Sequence, residues 1–123
     1  MNTTEVADKL VTLCRAGRFV EAVETLYSAG IVSVEAREFG DMPRELRGVE
    51  AVKGKNLWWF DNNEVHSSSV TGPFVSPERF AVFFTFDRTF KGTGERSQFS
   101  EVAVYTVADG KIVHEEFLYA AED

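Results

Sequence analysis

The 123 residues are 44% hydrophobic and 27% charged, an ordinary globular balance at the commonest domain size. A net charge of -7 works against a nucleic-acid partner, whose phosphates need clustered Lys and Arg. No run approaches the roughly 18 apolar residues of a membrane span, Met1 to Val6 has no leader character, and the single Cys14 permits no internal disulfide; the expectation is one cytoplasmic domain over 1–123, with no membrane partner.

In chain order, the first helix is expected from about Thr3 to Ala16. Asn2 followed by Glu5 reads as a capping box, Val6, Leu10, Leu13 and Cys14 form the apolar stripe, and Gly17 stops it. Phe19 to Ser28 reads as a second helix, and the β-branched run Ile31–Glu35 as a short strand. Arg37 to Arg47 has no clear periodicity; it reads as a flap over a cavity or as a solvated crossing. A third helix is expected over Gly48–Asp61, with Val52, Asn56 and Trp59 on one stripe. Trp58 points about 100° away from Trp59, so Trp59 is the pocket candidate.

After Asn63 the pattern turns to strands. Glu64–Phe74 is the first long one, and Phe80–Phe90 the second, with Phe80, Val82, Phe84 and Phe86 on one face. His66 is the histidine whose side matters. A loop pairing Val75 with Phe80 turns it away from that face, and an odd-length loop turns it inward, where it would carry protons well at neutral pH.

The last quarter reads as a hairpin around Asp109-Gly110. A three-residue loop, Ala108 to Gly110, would pair Val107 with Lys111, Tyr105 with Val113, Ala103 with Glu115, Glu101 with Phe117 and Phe99 with Tyr119. These residues then share an aromatic-rich face that belongs inside. Glu101 and Glu115 sit within it, although burying an ionised carboxylate costs several kcal/mol. Two carboxyls in a dry site cannot both ionise cheaply, so one becomes an acid beside a base, the pairing that proton transfer next to a carbonyl requires. Backbone or arginine partners would make the same two residues structural. Glu35 is either a base at the pocket mouth or an exposed charge paired with Arg37. Tyr27 and Tyr119 are possible donors into the pocket. The opposite face, with Val102, Val104, Ile112, His114, Glu116 and Leu118, is apolar enough to suggest a subunit interface. Neither zinc-ligand spacing nor a phosphate-cradling loop is present.

Three short motifs, Arg15-Ala-Gly-Arg-Phe19, Leu46-Arg-Gly-Val-Glu-Ala-Val52 and Asp109-Gly-Lys-Ile-Val113, in this order along nearly the whole chain, resemble the nuclear transport factor 2-like superfamily, in its SnoaL-like and ketosteroid-isomerase-like branch. The resemblance implies an α+β conical barrel: three N-terminal helices on a strongly curved, mainly antiparallel sheet that encloses an apolar pocket. It also implies a homodimer through the outer sheet face, a hydrophobic small-molecule ligand and no cofactor. Its isomerases place a carboxylate at the end of the first strand, which matches Glu35. They place a second acid on the penultimate strand, where this chain has Ala103, with Glu101 one pleat away. A tyrosine in their first helix corresponds to Leu10. The expected activity is therefore cofactor-free isomerisation, cyclisation or dehydration of a hydrophobic carbonyl compound. Glu101, Glu115, Glu35 and His66 would be catalytic, and Trp59, Phe84, Phe86, Ala103, Tyr105, Phe117 and Tyr119 would line the pocket. The alternative is a non-catalytic ligand-binding or dimerisation module of the same fold.

Overall fold

A computed structural model describes residues 1–119. The element order is α1 (Thr3–Arg15), α2 (Phe19–Leu26), β1 (Tyr27–Val34), β2 (Glu45–Arg47), α3 (Val49–Asn62), β3 (Asn63–Val75), β4 (Arg79–Phe90), β5 (Glu95–Ala108) and β6 (Lys111–Leu118). The capping box forms as the sequence predicts: the Asn2 side chain accepts from the Glu5 backbone and the Glu5 carboxylate accepts from the Asn2 backbone. The α1 stripe of Val6, Leu10, Leu13 and Cys14 is buried. Complete burial of a side chain such as Leu10 is worth about 1.5–3 kcal/mol.

Six strands form one curled sheet in the order β2-β1-β6-β5-β4-β3. Only β1 and β6 run parallel; the other neighbours are antiparallel. The sheet curls around the helices without closing, and β2 and β3 are its edges. The architecture is the expected α+β cone, as an open sheet rather than a complete barrel.

Three local differences bear on the site. The second helix stops at Leu26, and the strand begins at Tyr27 rather than Ile31. Part of the 37–47 segment is strand, with Glu45–Arg47 pairing with Val32–Val34, and Phe39 and Met42 form a small bridge beyond it.

The hairpin differs most. Its loop has two residues, Asp109 (φ 52°) and Gly110 (φ 75°), and Ala108 pairs with Lys111. That turn alone would put Glu115 on the opposite face from the one expected. A β-bulge in the Thr106–Val107 region restores the parity, because Val107 faces Ile112 whereas Thr106 faces His114. Beyond the bulge Tyr105 pairs with Glu115 and Ala103 with Phe117. Ile112, expected outside, is completely buried. On the turn side of the bulge the inward residue shifts by one.

Candidate active site

The helices and the concave face of the sheet enclose a cavity of about 110 Å³. Its closed end is formed by buried residues of α1, α2 and the central strands, including Leu10, Cys14, Val23, Tyr27 and Tyr105. Phe19, Trp59, Phe60, Phe84 and Phe86 form an aromatic wall, with Trp59 and Phe86 centroids 5.1 Å apart and Phe19 and Phe60 4.9 Å apart. Phe39 and Met42 bring the 37–47 segment against the open end, beside Trp58. Backbone bonds of Glu35 N–H to the Arg44 carbonyl, 2.8 Å, and Met42 N–H to the Phe39 carbonyl, 2.8 Å, pin this segment.

Polar groups enter the cavity through strand register. Parallel pairing of β1 with β6 sets Ser33 beside Glu115, and the Ser33 hydroxyl donates to Glu115 Oε2 at 2.7 Å. The Tyr27 hydroxyl donates to Glu115 Oε1. Both carboxyl oxygens of Glu115, a residue only 1% exposed, are therefore occupied. Burial pushes its pKa up; the Lys55 ammonium and the two hydroxyl bonds work against that shift.

Lys55 joins this cluster to the cavity mouth. Its Nζ donates to Ser33 Oγ at 2.6 Å and to Glu35 Oε1 at 2.9 Å, and lies 4.8 Å from the centroid of the Phe117 ring. The Tyr119 hydroxyl donates to Glu35 Oε2 at 3.1 Å. An unbroken hydrogen-bonded chain thus runs Tyr27–Glu115–Ser33–Lys55–Glu35–Tyr119. The alternative pairing of Glu35 with Arg37 does not form; Arg37 lies over the Phe39 ring instead.

Glu101 stands apart from this chain. It lies on β5 opposite Phe84, half-buried, and lines the cavity. Among the described residues none donates a hydrogen bond to it. Burial raises its pKa to about 8, reinforced by the nearby Glu35 and Glu115 carboxylates and opposed by Lys55. At neutral pH Glu101 is mostly a neutral acid facing an aromatic cavity.

The structure therefore brings Glu101, Glu115 and Glu35 to one cavity, with Trp59, Phe84, Phe86, Tyr105 and Phe117 around them. Ala103 is buried in the wall without lining the cavity, and Tyr119 acts at the mouth through Glu35. His66 is elsewhere. It is exposed at a bulge in β3 between Val65 and Ser67, where its Nε2 lies 2.7 Å from Thr89 Oγ1. Val75 does pair with Phe80, but two register shifts in β3, at Thr71/Phe74 and at Val65/Ser67, lie between that pair and His66, so the pairing alone does not set its side. Lys55 is the residue the sequence reading passes over. It stands three residues after Val52 on the stripe that also holds Asn56 and Trp59, so helical spacing marks it as an inward lysine.

The SnoaL-like domain family model matches residues 1–119. A Mesorhizobium loti protein, provisionally named a SnoaL-like polyketide cyclase with carbohydrate phosphatase as a second label, is 41% identical; the match covers 97% of this chain and 100% of that one, with a TM-score of 0.91. An NTF2-like protein from Anabaena variabilis is 12% identical over 98% of this chain and 91% of that one, at a TM-score of 0.74. TerC, crystallised with polyporic acid, is 16% identical over 95% and 90%, at a TM-score of 0.73. The last two likenesses are of fold alone. No curated protein sequence matches the chain.

Proposed function

The chain belongs to the SnoaL-like domain family, and from that premise we propose that its cavity binds a hydrophobic carbonyl compound and moves a proton at the carbon beside the carbonyl. The observation that carries this reading is Glu101: an acid with a pKa of about 8, with no hydrogen-bond donor to it among the described residues, in an aromatic cavity. A group titrating close to the working pH both gives and takes a proton with little penalty. Its neutral form donates a hydrogen bond to a carbonyl oxygen, and its ionised form is a stronger base than an ordinary carboxylate.

The other polar groups take supporting parts. Glu115, with both oxygens engaged, holds Ser33 and Tyr27 and adds negative charge that favours the proton on Glu101. The Lys55–Glu35 pair at the mouth, with side chains 10% and 13% exposed, offers a carboxylate as second base and an ammonium against developing enolate charge. Isomerisation, aldol cyclisation and dehydration all begin with this proton transfer and need no cofactor.

The test is solvent exchange. Planar hydrophobic ketones incubated with the protein in deuterated water should lose their α-hydrogens faster than in buffer, and Glu101→Gln should lower that rate about a hundredfold or more. Ketones that bind without exchanging would make the domain a binder and refute the catalytic reading. We also read the convex sheet face, where Val102, Val104, His114, Glu116 and Leu118 lie, as the interface of a homodimer.

A further inference from the structure

The charges around the cavity do not balance. Three carboxyls, Glu35, Glu101 and Glu115, share it with a single ammonium, Lys55. That ammonium is engaged by Glu35, Ser33 and the Phe117 ring. Glu115 is enclosed by Tyr27 and Ser33. Arg88, a second cation nearby, lies 5.7 Å from the Phe99 ring centroid and donates to Asn63 Oδ1 at 3.1 Å, and does not line the cavity. Among the described residues Glu101 is the one of these three carboxyls with no hydrogen-bond partner, and the rings of Trp59, Phe84 and Phe86 share its cavity. Aromatic faces carry negative potential and attract cations, most strongly where water is excluded. Among the described residues, the lining offers an anionic ligand those faces, three carboxyls and one ammonium already engaged; Arg88, whose Nε is buried without a partner, stands behind Phe99 and outside the lining.

Resting on the reading of this cavity as a ligand site, and going beyond its carbonyl chemistry, we propose that the cavity also binds an organic cation, a small aryl or alkyl ammonium, with its charge against Glu101 and its carbon skeleton on the aromatic wall. The groups that act on Glu101 are Glu35 and Glu115, which favour its proton, and Lys55, which opposes it; Tyr105 and Tyr119 are also close enough to feel its charge. Because Glu101 is mostly protonated at neutral pH, a cation entering there expels a proton. A neutral ketone leaves the proton in place and accepts a hydrogen bond from it. One proton on one side chain then decides which of two ligand classes the cavity takes.

The experiment is calorimetric titration of the full-length protein with benzyltrimethylammonium, whose charge does not change with pH, and with the neutral ketone benzylacetone. Each runs at neutral pH in two buffers of different ionisation enthalpy. The expected result is close to one proton released per ammonium bound and none per ketone. Ammonium affinity should rise about tenfold or more between about pH 6.5 and about pH 8.5, as the ionised fraction of Glu101 grows. Glu101→Gln should abolish both the proton release and the pH dependence. Absence of ammonium binding, or binding without proton release, overturns the proposal, and the wild-type proton count decides this even if the variant does not fold. Ketone exchange without ammonium binding would sink this inference alone. Ammonium binding with proton release, but no ketone exchange, would uphold it and remove the carbonyl reading.

Discussion

Glu101 links folding to pH in the sense opposite to a salt-bridged carboxylate. Its pKa rises from 4.5 to about 8 on folding, so the folded state holds its proton more tightly than the unfolded chain. The stabilisation from that proton is complete below the unfolded pKa and is lost as pH climbs through the folded one. Glu115, also raised, acts in the same direction. The melting temperature should therefore fall as pH rises from about 4.5 to about 8. Glu101→Gln should flatten part of that slope and melt higher than wild type at the alkaline end. Parallel wild-type and variant curves would show that Glu101 is not the perturbed group. Lys55→Met makes a second case. It removes the counter-charge of Glu35, leaving it the Tyr119 hydroxyl, and the ammonium donor to Ser33, and it takes away the positive charge that holds the pKa values of Glu101 and Glu115 down. Removing one partner of a largely desolvated pair costs about 3 kcal/mol. Chemical denaturation should show that loss, and adding Glu35→Gln should recover part of it; additive losses would mean the pair is not coupled.

At the scale of elements, the hairpin carries Glu101 and Glu115 into the cavity and depends on two local features. The turn uses positive φ at Asp109 and Gly110, the latter at 75°, where a side chain costs about 1–2 kcal/mol. A Cβ at Gly110 would also lie 3.0 Å from the Met1 backbone. Gly110→Ala should therefore destabilise by at least about 1 kcal/mol, measured as a lower denaturation midpoint with an unchanged slope; an unchanged midpoint would contradict the geometry. The Asp-Gly signal made this turn legible from the sequence, and alternation around it correctly put Glu101, Tyr105, Glu115 and Phe117 on one face. The bulge near Val107 was not legible. Nothing in Val102–Val107 or Ile112–Glu116 separates a three-residue loop from a two-residue loop with a bulge, because both give Glu115 the same side. They differ at Ile112 and Val113, both β-branched and apolar, so hydropathy cannot choose between them. The side of His66 hinges in the sequence on the length of the Ser76–Arg79 turn, and even the right pairing there does not settle it, since bulges in β3 reset the alternation between it and the Val75–Phe80 pair. Lys55 is legible in spacing but hidden by chemistry: a lysine is ordinarily assigned to solvent, and its partners Ser33 and Glu35, at the end of β1 and just past it, are distant in sequence.

For the whole molecule, the convex face of the sheet carries an apolar strip. Strand register aligns Phe83, Val102 and Leu118 in one row across β4, β5 and β6, with Ala81 and Val104 in the next. Phe83 is 39% exposed and Leu118 50%. Side chains paired across neighbouring strands stand about 5 Å apart, so the row is a continuous strip rather than scattered single residues. A net charge of -7 adds long-range repulsion between copies, and that repulsion weakens as salt screens it. A homodimer across this face should therefore form more tightly at higher ionic strength, as an interface held by apolar burial against like net charge requires. Light scattering should give about twice the 13.8 kDa chain mass at moderate salt. Leu118→Asp, which sets a carboxylate in the strip without touching the concave side, should return the monomer mass while ligand affinity stays unchanged. A wild-type monomer at high salt and high concentration would rule out this face as a self-interface.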